Sequence, residues 1–126
     1  MRWVGNGGHE KMSALVGAQW AFLKDVADLI QFIETEGDMA SGGELLRTTY
    51  QQLEYVRTGR SMTMNSLHLN KLAIDLAIFH DGIWLQDFDS LKKYGAFWEG
   101  LHPDNEWGGD WVSLRDFPHF QRRLPK

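Results

Sequence analysis

The segment of residues 66–75 and the apolar run that continues it constrain this chain more than any other part of the sequence. Asp75 is a carboxylate inside the otherwise apolar residues 72–79. Burying a carboxylate there is costly unless a cation or hydrogen-bond donors compensate its charge. We therefore expect the fold to bring a partner to Asp75, and His68, seven residues earlier, is the obvious candidate.

The spacing of His68 and Asp75 limits how the two can meet. Seven residues of extended strand would separate them by about 23 Å, and two helical turns by about 10 Å, so neither arrangement lets both bind one ion. A chain reversal centred on residues 70–73 would make them cross-strand neighbours, with Cβ atoms about 5 Å apart. That geometry suits two ligands of one metal, and it requires a third ligand from elsewhere in the chain.

Composition restricts the type of metal site. The chain has no Cys, so a metal must be bound by His and carboxylates, which favours catalytic zinc or a similar ion over a structural Cys cluster. The 126 residues suffice for one domain with its own core, and we expect a single domain over residues 1–126 in which residues 1–16 form a flexible leader.

Charge and hydropathy restrict the partners and the location. The net charge of −4 argues against a nucleic-acid-binding protein, whose surface would be basic. The first residues lack the apolar run of a secretory signal, and no segment approaches the roughly 20 apolar residues of a membrane span. We therefore expect a protein that stays in the cytoplasm where it is made until something releases it, without stable membrane insertion.

Helical periodicity predicts two strong helices, at residues 18–35 and 88–101. The spacing of residues 48–49 from 51–52 is that of a capping box and predicts a third helix, which ends near Thr58. The first helix is expected to bury one stripe: Trp20, Leu23, Val26 or Ala27, Ile30 and Ile33.

Strands are predicted between these helices. A turn at residues 41–43 is followed by a short strand at 44–47. A second strand at residues 72–79 and a third at 83–85 are joined by a hairpin turn at 80–82.

Three further charged or titratable residues are candidates for chemistry. His119, between Pro118 and Phe120, is either a packing residue in aromatic surroundings or a metal ligand. Asp116 favours the second interpretation, because a metal lowers the pKa of a water toward about 7 and a neighbouring carboxylate can accept its proton. Two His and one Asp with an open fourth position would form a catalytic site. Arg47, before a predicted helix, is either a substrate-binding guanidinium or half of a surface ion pair.

Short motifs occur in a fixed order between residues 38 and 122: Arg47-Thr48, Ser66-x-His68 with Ala73-x-Asp75, Trp-Gly-Gly-Asp-Trp at 107–111, and Asp116-x-x-His119-Phe120. Together they resemble the zinc DD-peptidase-like family (peptidase family M15), which includes D-Ala-D-Ala carboxypeptidases, D-Ala-D-Ala dipeptidases and phage L-alanyl-D-glutamate endopeptidases. The resemblance implies an α+β fold of the Hedgehog/DD-peptidase type, a small antiparallel β-sheet with packed helices.

The resemblance also implies roles for individual residues. Zn²⁺ would be bound by His68, Asp75 and His119, and Asp116 would be the general base. Arg47 would pair with a substrate carboxylate or with the developing oxyanion, which its planar and permanently charged side chain suits.

Supporting residues follow from the same resemblance. Ser66 would support the site by hydrogen bonding. Asp110 is either a residue that orients a ligand His or a turn residue after two glycines. Lys71 stands where the family usually has Gly, which suggests a positive φ that Lys adopts less readily, and Asn70 could carry this conformation instead.

By this resemblance the chain is a zinc peptidase that cleaves the peptide stems of bacterial peptidoglycan as a monomer. It looks most like a phage or prophage endolysin of the L-alanyl-D-glutamate endopeptidase type, held in the host cytoplasm until it reaches the wall. Two alternatives stay open. One is a D-Ala-D-Ala carboxypeptidase or dipeptidase, and the other is a non-catalytic zinc-binding interaction domain, as in Hedgehog signalling domains.

Overall fold

The structure, a computed structural model, describes residues 11–43, 48–59 and 67–125. Short 3₁₀ turns lie at Leu67–Asn70 and Gly108–Asp110. The helices and strands of the described residues are α1 (Ala14–Thr35), β1 (Met39–Gly42), α2 (Thr49–Arg57), β2 (Ala73–His80), β3 (Ile83–Trp84), α3 (Phe88–Leu101), β4 (Asn105–Trp107) and β5 (His119–Arg122).

The strands form one antiparallel sheet with the order β1-β2-β5-β4, and β3 pairs with the end of β2. The predicted α+β class, a small antiparallel sheet with packed helices, is confirmed. Within the described residues, no helix has the length and apolarity required to cross a membrane.

Helices α1 and α3 pack on one face of this sheet. Leu76 and Ile78 of β2 and Phe120 of β5 point into a core shared with Trp98 of α3. Because side chains alternate along a strand, Asp75 points to the opposite face of the sheet. The candidate site therefore lies on the face away from α1 and α3.

The phase of α1 differs from the prediction. Phe22, which was not in the predicted stripe, packs edge to face on Trp98 with ring centroids 5.5 Å apart, whereas Trp20 is 61% exposed. Two sets of apolar residues have helical spacing in this segment, and the packing of α1 against α3 determines which set is buried. The side chains buried along α1 are those of Phe22, Val26, Leu29 and Ile33. The predicted stripe residues that are exposed instead are Trp20, Leu23 and Ile30.

Helix α1 also begins earlier than predicted. The Ser13 hydroxyl accepts a hydrogen bond from the backbone N–H of Val16 at 3.2 Å and caps the helix. Residues 14–16, assigned to the flexible leader, are therefore helical. The leader residues 1–10 lie outside the described residues.

Local capping signals predicted the other two helices well. The reciprocal hydrogen bonds of the Thr48–Gln51 capping box are both present, at 3.1 and 3.2 Å, and α2 ends at Arg57. The Asp87 side chain accepts from the N–H of Ser90 at 2.9 Å at the start of α3. Both helices are confirmed.

The first strand of the described residues, β1, was not predicted from the sequence. Residues 41–42, predicted as part of a turn, belong to β1 and pair with residues 76–77 of β2. The N–H of Gly43 then donates to the carbonyl of Asp75 at 2.7 Å. The predicted strand at 44–47 lies outside the described residues.

The hairpin turn between β2 and β3 is tighter than predicted. Its turn consists of Asp81 and Gly82, which both have positive φ, so His80 is the last residue of β2 and pairs with Ile83. The His80 imidazole is also bound through Nδ1 to the buried carboxylate of Asp38 at 2.6 Å. The prediction that His80 is a turn residue is therefore wrong.

Candidate metal centre

The side chains of His68, Asp75 and His119 come together on the face of the sheet away from α1 and α3. One potential ligand atom of each lies within 4.8 Å of the other two. Nε2 of His68 and Nδ1 of His119 are each 3.4 Å from Oδ1 of Asp75. His68 and His119 are buried, whereas the Asp75 side chain is 30% exposed.

The register of the sheet brings Asp75 and His119 together. Asp75 in β2 lies directly opposite His119 in β5, so a strand pairing of distant segments places these two side chains on one face. The predicted hairpin between His68 and Asp75 is wrong, because His68 lies on a 3₁₀ turn that precedes β2.

A left-handed residue turns the chain from His68 into β2. Lys71 has φ of +56°, and the N–H of Leu72 donates to the carbonyl of Leu67 at 3.0 Å. The alternative that Asn70 carries the positive φ is therefore wrong. Lys takes the conformation that glycine adopts without strain.

The three side chains fit a tetrahedral divalent metal. With zinc–ligand bonds of about 2.0–2.2 Å, neighbouring ligand atoms of a tetrahedral site lie about 3.3–3.6 Å apart. The two 3.4 Å separations match this value, and they exceed the roughly 2.7–2.9 Å of a charge-assisted N–H···O bond. The buried Oδ1 of Asp75 accepts no hydrogen bond from any described residue. A cation between the three groups would compensate this oxygen.

The electrostatics of the group favour positive charge. Burial by itself would raise the pKa of Asp75, but its interactions with the imidazoles of His119 and His68 outweigh burial and hold the pKa well below its ordinary value. Burial would likewise lower the pKa of His119, but Asp75, Gln121 and Asp116 raise it above the ordinary value. The group thus places an anionic carboxylate beside two imidazoles, and a cation among the three side chains would be stabilised.

Asp116 lies beside the group of three without belonging to it. Its Oδ2 is 4.0 Å from Nδ1 of His119, and its side chain is 45% exposed. A tight turn fixes this spacing, since the N–H of His119 donates to the carbonyl of Asp116 at 3.1 Å. A half-exposed carboxylate next to a candidate metal site can accept a proton from a water molecule bound there.

Gly108 explains part of the Trp-Gly-Gly-Asp-Trp motif. Its carbonyl accepts from the N–H of Asp116 at 3.0 Å. A Cβ on Gly108 would lie 2.3 Å from the carbonyl oxygen of Asp116 and 3.0 Å from Cβ of His119. A residue without a side chain is therefore required for the Asp116 turn to approach this closely.

We expect Gly108→Ala to lower the free energy of unfolding by about 1–3 kcal/mol, the usual cost of forcing an extra carbon into a packed region. Urea denaturation followed by circular dichroism measures this. Gly100→Ala in α3 is the matched control, because a Cβ there meets nothing within 4 Å, and helical Gly→Ala is stabilising by about 0.5–1 kcal/mol. An unchanged midpoint for Gly108→Ala would contradict the close approach.

A hydrogen-bonded chain behind His119 was not predicted from the sequence. Nε2 of His119 lies 2.7 Å from Oε1 of Gln121, and Nε2 of Gln121 donates to Oε1 of Glu106 at 2.9 Å. The Trp111 ring also lies against His119, with centroids 5.1 Å apart. The period of two along β5 is the signal that could have indicated Gln121, since it places residues 119 and 121 on one face.

The other predicted site residues are Arg47, Ser66 and Asp110. Arg47 and Ser66 lie outside the described residues. Asp110 is exposed and lies against Glu99, where burial, followed by the interaction with Asp110, raises the pKa of Glu99 to about 7. The ring nitrogen of His119 that faces away from Asp75 is bound by Gln121, not by Asp110.

Comparisons with known proteins converge on peptidases. A model of peptidase family M15, described as D-alanyl-D-alanine carboxypeptidase, matches residues 59–122, a range that contains the group of three and Asp116. An L-alanyl-D-glutamate peptidase of Listeria phage A118 is 35% identical over 96 residues, which are 74% of this chain and 34% of that protein. The chain thus spans about a third of the length of this relative.

A solved structure shares the fold. The crystal structure of the Serratia marcescens L-Ala D-Glu endopeptidase ChiX is similar to this chain with a TM-score of 0.64 and 26% identity. The similarity covers 90% of this chain and 89% of that one.

Proposed function

This chain belongs to peptidase family M15, as its motifs predicted, and from that premise we propose that it is a zinc peptidase that cleaves the peptide stems of bacterial peptidoglycan. The bond proposed is that between L-alanine and D-glutamate. A role as an endolysin in phage or prophage lysis goes with this proposal, because the relative with that activity comes from a phage.

The observation that carries the proposal is the convergence of two imidazoles and one carboxylate, with a nitrogen of each imidazole 3.4 Å from Oδ1 of Asp75. His68, Asp75 and His119 would hold the zinc ion. When bound, zinc would lower the pKa of a water molecule and polarise the scissile carbonyl.

Asp116 is proposed as the general base. Its carboxylate is near His119 and half exposed, so it can accept a proton from the attacking water and later deliver it to the leaving amine. Asp75 cannot take this role easily, because its interactions with two imidazoles hold its pKa low.

Two proposed residues rest on the family motifs alone. Arg47, the residue before the cap of α2, would bind a substrate carboxylate or the developing oxyanion through its guanidinium. Ser66 would support the site by hydrogen bonding. Asp110, beside Glu99, is proposed as a support of the 108–110 turn.

Two alternatives to this proposal are a different peptidase specificity and the absence of catalysis. One is a D-Ala-D-Ala carboxypeptidase or dipeptidase, of which the description of the matching family model names the carboxypeptidase. A non-catalytic zinc-binding domain would retain the three ligands without needing a carboxylate at Asp116. The presence of Asp116 next to His119 favours a hydrolase.

Mass spectrometry of purified muropeptides distinguishes these possibilities. We expect the zinc-loaded protein to release L-alanine-terminated fragments and expose a free N-terminal D-glutamate. A chelator should abolish the reaction, and added zinc should restore it. Loss of terminal D-alanine instead would replace the proposal by the carboxypeptidase. Zinc binding without any product would replace it by the non-catalytic domain.

A further inference from the structure

The hydrogen-bonded chain behind His119 is part of a row of side chains that crosses two strand pairings. Gln121 in β5 lies directly opposite Glu106 in β4, and His119 lies opposite Asp75 in β2. His119 and Gln121 are two residues apart in a strand and therefore share a face. One row of side chains thus runs from Glu106 through Gln121 and His119 to Asp75.

The chemistry of these side chains fixes which group donates and which accepts in each hydrogen bond of the row. A carboxylate such as that of Glu106 only accepts, so the Gln121 contact at 2.9 Å must come from the amide nitrogen. The amide oxygen of Gln121 then faces His119 at 2.7 Å and accepts from its Nε2–H. Arg123, with Nη1 3.7 Å from Glu106 Oε2, supplies positive charge at the far end.

This assignment of donors and acceptors determines which nitrogen of His119 can bind a metal. With the hydrogen on Nε2, the lone pair of the neutral ring is on Nδ1. Nδ1 is the nitrogen that lies 3.4 Å from Asp75 Oδ1. A metal-binding His whose other N–H is held by an acceptor has a fixed tautomer and ring orientation.

We propose that Gln121, held by Glu106, is a positioning residue that fixes the His119 tautomer and aims Nδ1 at the metal. This inference rests on the proposed zinc site. It assigns no contact with substrate to either residue. The alternative is that the Gln121–Glu106 pair only stabilises the pairing of β4 with β5. Removing the pair would then lower the stability of the protein and leave its zinc affinity unchanged.

The test compares three variants of the full chain by zinc affinity, measured in competition with a chromophoric chelator. Gln121→Met keeps the length of the side chain but removes the acceptor, and we expect zinc to bind about 10- to 100-fold more weakly. Glu106→Gln leaves the Gln121 amide free to reverse, so a smaller loss is expected. In the double variant Glu106→Gln/Gln121→Glu, the carboxylate at position 121 can accept from Nε2–H of His119 and from the amide at position 106. If the acceptor is what matters, the zinc affinity of this variant should return to within about threefold of the wild-type value.

Nitrogen-15 NMR of the His119 ring gives a second readout that does not depend on zinc or activity. In the zinc-free protein, at a pH where the ring is neutral, we expect the Nε2–H tautomer in the wild type and in the double variant. We expect a mixture of tautomers in Gln121→Met. A purely structural role would lower the urea midpoint of Gln121→Met while leaving the tautomer and the zinc affinity unchanged.

The outcomes separate this inference from the proposed function. Wild-type protein that binds no zinc would overturn the proposed function, whatever the tautomer. Wild-type protein that binds zinc, together with a Gln121→Met variant of equal affinity and unchanged tautomer, would overturn the positioning role. A double variant that folds but stays as weak as Gln121→Met would overturn it too.

Discussion

Replacing Asp116 by Asn is expected to lower the rate of muropeptide hydrolysis by about 10²- to 10⁴-fold, the usual contribution of a positioned general base. Asn has nearly the same size and can occupy the same turn, but its amide cannot accept the proton of the attacking water. The backbone hydrogen bonds that hold the turn, from Asp116 to Gly108 and from His119 to Asp116, do not involve the side chain. Initial rates from liquid chromatography of the products measure the loss.

Zinc binding should survive this substitution. Asp116 is not a member of the group of three proposed ligands; its Oδ2 is 4.0 Å from Nδ1 of His119, and its side chain is 45% exposed. Asp89→Asn in α3 is the matched control, because it removes the same charge from an exposed carboxylate whose partner is Lys92. Full activity in Asp116→Asn would remove Asp116 from the role of base. Loss of zinc along with activity would make it a ligand instead.

Local signals in the sequence were sufficient to predict the starts of α2 and α3. The cap of α2 depends on Thr48 and Gln51, three residues apart, and the cap of α3 depends on Asp87 and Ser90. Such interactions are complete within one turn of the chain, so no knowledge of the rest of the fold is required to predict them.

The phase of α1 could not be obtained in the same way. Periodicity gives the spacing of apolar residues, but two apolar series in this helix have that spacing. Asp25 identifies the inner side once the fold is known, because it forms an ion pair with the buried Arg122 of β5. That contact joins residues far apart in sequence, so only the tertiary structure decides between the two series.

In the candidate site, too, some features were predictable from the sequence and others depend on the tertiary structure. The motifs identified His68, Asp75 and His119, since residue type and order are properties of the sequence. The route by which they meet was not predictable, because it depends on the pairing of β2 with β5 and on the left-handed Lys71. The Gln121–Glu106 pair was missed for the same reason: a register between strands has no local sequence signal.

Replacing Asp75 by Asn is expected to remove the response of the protein to zinc. Wild-type protein should gain stability with zinc by mass action, about 2.7 kcal/mol at a free concentration one hundred times the Kd. The substituted side chain would offer a neutral oxygen, or its amide nitrogen, between two imidazoles, so the anionic ligand that balances the cation is lost. We expect zinc affinity to fall by at least about 100-fold and wall hydrolysis to fall with it. Thermal unfolding with and without zinc measures the first effect.

The metal-free proteins provide the control for this substitution. The pKa of Asp75 is held low by His119 and His68, so its carboxylate stabilises the fold above about pH 4, and this contribution is lost as the pH falls through the folded-state pKa. Metal-free Asp75→Asn should therefore be less stable than metal-free wild type at about pH 7, and the two should converge in acid. Comparing each protein with its own metal-free form removes this difference from the zinc effect. An equal zinc-induced rise in Tm for both proteins would mean that Asp75 is not a ligand, and the zinc site would have to be sought elsewhere in the chain.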